Sequence, residues 1–227
     1  MPVRATPLQP PLLEEMLATG TAPTGQRLHS NINEAYAAAL QGCVRELEPR
    51  DAIEIGMAFG TSALAILGGC NAHLTSIDPG QEADYTFGGR IAVEKAGFGD
   101  RHRLLNEPDF EALPRLLGDG QRIQFAYIDG WHTFDYVLLD FFYLDKMLDE
   151  GGVIAFNDCW MKAITRVIDF VLGHRRYEEI DVGLNSGAPS LRTQLGARLL
   201  GRPLHRQDRY FRKIAQHEPE WNFYRSF

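Results

Sequence analysis

The sequence predicts an α/β fold: a doubly wound, mostly parallel sheet of seven strands with helices on both faces. Two observations carry that expectation. Short apolar runs alternate with stretches of helical period from Ala52 to Val182, and strict alternation implies parallel strands joined by right-handed crossovers. The first run ends in a glycine-rich turn, Glu54-Ile-Gly-Met-Ala-Phe-Gly60-Thr-Ser62, and the second ends in Asp78, 22 positions past Gly56.

Residues 1–29 read as an N-terminal arm. Pro2, Pro7, Pro10, Pro11 and Pro23 interrupt it, leaving a short helix around Leu12 to Leu17. Residues 30–227 read as a single domain. A helix from Ser30 as N-cap to Leu47 carries Ile32, Tyr36, Leu40, Val44 and Leu47 at helical spacing. Strands are expected at Ala52–Ile55, His73–Ile77, His102–Leu105, Ile123–Ile128, Val153–Phe156 and Tyr177–Val182. Helices are expected between them at Thr61–Leu67, Gly89–Ala96, Phe110–Leu117, Phe134–Met147 and Trp160–Leu172. After Val182 the alternation stops, and a basic stretch from Arg192 to Lys213 holds seven Lys or Arg against one Asp. Residues 183–208 are expected to form a variable loop or lid, and Leu195, Leu199 and Leu200 are candidates to cover a homodimer seam. Arg209–Ala215 and Trp221–Phe227 read as late strands, or as a strand and a tail.

At 227 residues and 44% hydrophobic content the chain can bury a full core as one domain. A net charge of −7 gives the whole molecule no electrostatic footprint for nucleic acid. Cys43, Cys70 and Cys159 are odd in number and not in metal-type pairs, which suits reduced thiols in a cytosol. No run approaches the ~18 apolar residues of a membrane span. The expectation is a cytoplasmic protein.

In a wound sheet, ligands sit beyond the carboxyl ends of the strands, so the residues just past each strand carry the chemistry. Gly56 and Gly60 let a ligand approach the backbone, and Thr61 opens a helix whose free N–H groups point into the same crevice. Asp78 is placed to accept hydrogen bonds from two ribose hydroxyls. The pattern departs from the dinucleotide motif: Ala58 replaces the middle glycine, and Glu54 would repel a pyrophosphate. An acid there suits a cofactor with an ammonium group, and S-adenosylmethionine is one. The plainer reading makes Glu54 a paired strand-end acid and the glycines a simple turn.

A second constellation follows two later strands: Asp129-Gly-Trp-His132, and Asn157 with Asp158. If those strands are neighbours, Asp129, Asn157 and Asp158 form a hard-oxygen set suited to Mg²⁺. Such a metal would orient a hydroxylated substrate and lower the pKa of its hydroxyl, and His132 is placed to accept the proton. The plainer readings make Asp158 a helix N-cap, Trp131 a cover for the core edge and His132 a helix-start residue. Asp135, Asp140 and Asp145, five apart on one helix, read as a solvated face.

On these residues the chain resembles the class I S-adenosylmethionine-dependent methyltransferases. Within that class it resembles the metal-dependent small-molecule O-methyltransferases, such as the catechol enzymes, and bacterial sugar and macrolide O-methyltransferases. The similarity runs from about Gly25 to Lys162 and implies a Rossmann-like methyltransferase fold. It implies Glu54, Gly56 and Ser62 at the methionine portion, with Gly60 also against the cofactor, Asp78 at the ribose, Asp109 at the adenine and Trp131 beside the cofactor. It also implies Asp129, Asn157 and Asp158 as metal ligands. Two departures stand out: His132 replaces a lysine base, and the Asp-Asn pair is reversed as Asn157-Asp158. The alternatives are a metal-independent N- or O-methyltransferase, a nicotinamide-dependent oxidoreductase and a non-catalytic cofactor-binding protein.

Overall fold

The structure is a computed structural model that describes residues 7–184 and 208–227. Seven strands form one sheet: β1 (Asp51–Ile55), β2 (His73–Ile77), β3 (His102–Leu105), β4 (Ile123–Ile128), β5 (Leu148–Phe156), β6 (Arg176–Ile180) and β7 (Arg209–Ala215), in the order β3-β2-β1-β4-β5-β7-β6. β1 to β5 pair in parallel, and β7 inserts antiparallel between β5 and β6. The strand order reverses direction between β1 and β4, which opens a crevice at their carboxyl ends.

The helices are α1 (Pro11–Thr19), α2 (Glu34–Leu47), α3 (Thr61–Gly69), α4 (Gly88–Lys95), α5 (Asp109–Gly118), α6 (Phe134–Met147) and α7 (Lys162–His174). They divide the core in two. One cluster joins Leu40, Val44, Leu64, Leu67, Leu74 and Phe125, and the other joins Ile53, Leu113, Phe141, Leu144, Ile154 and Ile168. Strands covered on both faces read as near-continuous apolar runs, as in β4, where Phe125 to Ile128 are all buried. The arm joins this core through α1, which buries Leu13 and Met16.

Several boundaries differ from expectation. α2 is capped by Asn33, whose side chain accepts the Tyr36 N–H, and not by Ser30. β5 begins at Leu148 because the chain passes a register shift opposite Ile123 and Phe125 before reaching its buried run. Trp221–Phe227 forms no strand; the Phe227 ring packs 5.4 Å from those of Phe170 and His174.

The acids of α6 do not form one solvated face. Residues five apart are turned by ~140° around a helix, so only Asp135 is exposed while Asp140 and Asp145 are buried. Asp145 accepts the Tyr177 hydroxyl at 2.7 Å and pairs with Arg175 and with Lys213, each at 3.1 Å. Lys213, the end of the basic stretch, is therefore an interior cation. Leu195, Leu199, Leu200 and nearly all of the 183–208 segment lie outside the described residues. Among the described residues, no helix is long and apolar enough to cross a membrane.

Candidate functional site

The site starts at Gly56, which follows β1 with φ of +83°. A side chain there would collide with the backbone of Asp129, so the ends of β1 and β4 can meet only over a glycine. Ala58 also adopts a positive φ, 46°, although it stands where a dinucleotide motif has glycine. Asp78 holds it there: its Oδ2 accepts N–H bonds from Met57 at 3.0 Å and Ala58 at 2.8 Å, and its Oδ1 accepts from Gly80 at 2.8 Å. The Gln81 amide adds a fourth donor at 2.9 Å. Gly60, again at φ +83°, hands the chain to α3, whose N-terminus has no side-chain cap. Glycine turn, β2 acid and uncapped helix thus come together.

Glu54 lies beneath this turn with no exposure. Its carboxyl accepts from Ser62 Oγ at 2.8 Å and from Ser76 Oγ at 2.5 Å. Burial pushes it up to about 8, against the lowering effect of the two serines, so near neutral pH it is largely a neutral acid. His102 Nε2 lies 2.8 Å from Ser76 Oγ, and burial lowers that imidazole to about 4. The Ser76 hydrogen goes to Glu54, so a neutral His102 donates to Ser76. The structure places Glu54 as a brace joining β1, β2 and α3.

At the β3 end, Asp109 is the first residue of α5, with Pro108 as its N-cap. Its Oδ1 accepts the Phe110 N–H at 2.8 Å. Asp140 of α6 faces it, fully buried, with no protein donor on either oxygen. Burial and the Asp109 charge hold Asp140 well above the usual carboxylate range.

The second constellation also assembles, in altered form. β4 and β5 are neighbours, with Ile128 opposite Phe156. His132 Nε2 lies 3.4 Å from Asp129 Oδ1 and 3.6 Å from Asp158 Oδ2, without a hydrogen bond of its own. Asp129 raises His132 above its ordinary value against the effect of burial. Burial raises Asp129 in turn; His132 opposes that shift, and Asp158 adds to it. Asp158 has φ of +50° and accepts the Trp160 indole N–H at 3.0 Å. It is not a helix cap, because α7 starts at Lys162 after Met161. Trp131 is 67% exposed, so it covers no core edge.

Asn157 faces inward through its nitrogen. Nδ2 donates to Asp208 Oδ1 at 3.0 Å and to the Tyr127 oxygen at 3.2 Å, while Tyr127 donates to Asp208 Oδ2 at 2.7 Å. Burial pushes Asp208 up to about 7, opposed by the Tyr127 and Asn157 hydrogen bonds and reinforced by Asp129 and Asp158. Asp208 and Tyr127 were not among the expected site residues. A signal existed, since Asp208 is the lone acid in the basic stretch from Arg192 to Lys213.

Among the described residues, no three His, Cys, Asp or Glu side chains are grouped so as to hold a metal ion. A cation here would need the Asn157 amide oxygen as well. Asp129 Oδ1 and Asp158 Oδ2 both face His132 Nε2, so the imidazole stands between the two carboxylates. An open groove of about 710 Å³ at the other end of the sheet, lined by Arg45, Arg50, Cys70 and Arg101, holds none of these groups.

Residues 53–159 match the family model described as a methyltransferase domain. That stretch runs from β1 to just past β5, so a methyltransferase domain carries the glycine turn, Asp78 and both later strand ends. Similar solved structures include an O-methyltransferase from Bacillus cereus in complex with SAH, at 17% identity and TM-score 0.64 over 76% of this chain and 83% of that one. Another is the O-methyltransferase TomG from Streptomyces achromogenes, involved in tomaymycin synthesis and in complex with SAM, at 12% identity and TM-score 0.68 over 94% and 93%. A third is the SAH-bound methyltransferase PaMTH1 from Podospora anserina, at 16% identity and TM-score 0.64 over 93% and 91%. No curated protein matches the sequence.

Proposed function

We propose that this chain transfers a methyl group from S-adenosylmethionine to a hydroxyl oxygen of a small molecule, assisted by a divalent cation such as Mg²⁺. The observation that carries the reading is the meeting of Asp129, His132 and Asp158 beside the glycine turn clamped by Asp78. Gly56, Gly60 and Ser62 would line the methionine portion, with Glu54 supporting them from below through Ser62. Asp78 would face the ribose, Asp109 the adenine, and Trp131 would close over the cofactor.

Asp129, Asp158 and the Asn157 carbonyl would hold the cation, which when bound would orient the acceptor hydroxyl and favour its anion. His132 would take the hydroxyl proton through Nε2, a buried nitrogen without a hydrogen bond. Holding the acceptor oxygen at near-attack distance from the methyl is worth ~7–11 kcal/mol, the largest part of the catalysis. The test is formation of S-adenosylhomocysteine with a panel of hydroxylated small molecules, with and without EDTA. Calorimetry showing no S-adenosylhomocysteine binding would refute the cofactor assignment. Turnover with an acceptor that survives EDTA would remove the cation alone.

That second outcome has its own support. A protonated His132 between Asp129 and Asp158 would balance part of their charge without any metal, as in a metal-independent methyltransferase. On the metal-free reading, His132 must be neutral to act as base. Because Asp129 raises its pKa, the rate should climb with pH across a range above the ordinary ~6.5 of imidazole. His132→Gln should abolish that climb.

A further inference from the structure

We infer that Asp140 is a positioning residue: it carries a proton, hydrogen-bonds through it to Asp109, and so fixes the carboxylate that would receive the adenine amino group. The inference rests on the cofactor reading above and goes beyond it by naming what sets the charge and aim of its adenine contact.

Asp109 opens α5 behind Pro108, and no side chain caps that helix end. Free N–H groups at a helix N-terminus favour an anion, and the Phe110 N–H already donates to Asp109 Oδ1 at 2.8 Å. Asp140 has none of this help. It stands in the middle of α6, where backbone N–H groups are spent within the helix, and neither of its oxygens has a donor. Helix packing brings the two acids together. Phe110 of α5 and Tyr136 of α6 meet edge to face with ring centroids 6.1 Å apart, and Tyr136 precedes Asp140 by one turn. A buried carboxylate without a donor is costly, and a second negative charge beside it adds to the cost. The proton therefore goes to Asp140 and the charge stays on Asp109. A carboxylic acid has one hydrogen to give, and a carboxylate accepts at about four sites. The Asp140 O–H and the Phe110 N–H use two of them, which leaves Asp109 open to an amino group. Asp109 keeps 7% of its surface exposed and Asp140 none, so a ligand would touch the first and not the second.

The test measures binding of S-adenosylhomocysteine and S-inosylhomocysteine to the purified full chain by calorimetry; the second carries a carbonyl oxygen where adenine has its amino group. The parent should prefer the adenosyl compound by about tenfold or more, because a carboxylate repels that oxygen. Asp140→Leu keeps the size, removes the donor and should cut the preference about threefold or more. Asp140→Asn keeps an N–H donor and should hold the preference within about twofold of the parent. An unchanged preference in Asp140→Leu, with the preference lost in Asp109→Ala, would overturn the role of Asp140 while the adenine assignment stood. Equal loss in Asp140→Asn and Asp140→Leu would overturn that role too. A preference that survives Asp109→Ala, or a parent without one, would overturn both. If Asp140→Leu does not fold, the infrared difference between the parent and Asp140→Asn at neutral pH decides. A protonated-carboxyl stretch lost in the variant supports the inference, and no such loss overturns it.

Discussion

Glu54 shows how far an environment can redirect a side chain. An unfolded glutamate ionises near 4.5, whereas in the fold burial moves Glu54 to about 8. Between those values the folded chain keeps a proton that the unfolded chain has released, so this group makes stability fall as pH rises through the window. Glu54→Gln is free of the effect and should gain on the parent by about 3 kcal/mol between pH 5.5 and pH 8, read by urea unfolding at both. A parent–variant difference that stays constant would mean that Glu54 is ionised throughout. The acid was legible in the sequence as an unusual residue inside a turn motif. Its protonation was not, because that depends on Ser62 and Ser76 closing over it.

The glycine turn between β1 and α3 is the element that the site can least afford to change. In Gly56→Ala a new methyl meets the Asp129 backbone in a left-handed conformation. This should cost about 2–4 kcal/mol of stability and at least tenfold in S-adenosylhomocysteine affinity, both measurable by unfolding and calorimetry. Ala58 is the opposite case, since it already holds φ of +46°. Ala58→Gly should relieve strain of roughly 1 kcal/mol, less what the freer unfolded chain takes back, and raise the urea midpoint slightly. Turns and parallel strands were legible because glycine spacing and unbroken apolar runs are local signals. The start of β5 was not: the expected strand began at Val153, and only pairing with β4 makes Leu148 a strand residue.

Across the whole molecule, strand-end reading located Asp78, Asp109, Asp129, His132 and Asp158 because chain order delivers each to the same rim. It missed Asp208 for a physical reason. That residue reaches the rim only because β7 inserts between β5 and β6 instead of following β6 outward, and such a permutation leaves no periodic trace. The same permutation makes β7 the link that joins β6 to the sheet. A chain stopped at Leu184 should therefore lose methyl transfer and melt well below the full-length chain; a truncation that kept full turnover would show that β7 and Asp208 are dispensable.

β7 also leaves a ribosome after the other six described strands. The turn at Gly56 and its clamp at Asp78 can close once β1, β2 and β4 have emerged, whereas the triangle of Tyr127, Asn157 and Asp208 must wait for the chain beyond residue 207. A growing polypeptide would thus complete its glycine turn while the β5 and β7 side of the rim was still unfinished, so two parts of one rim come of age at different moments of synthesis.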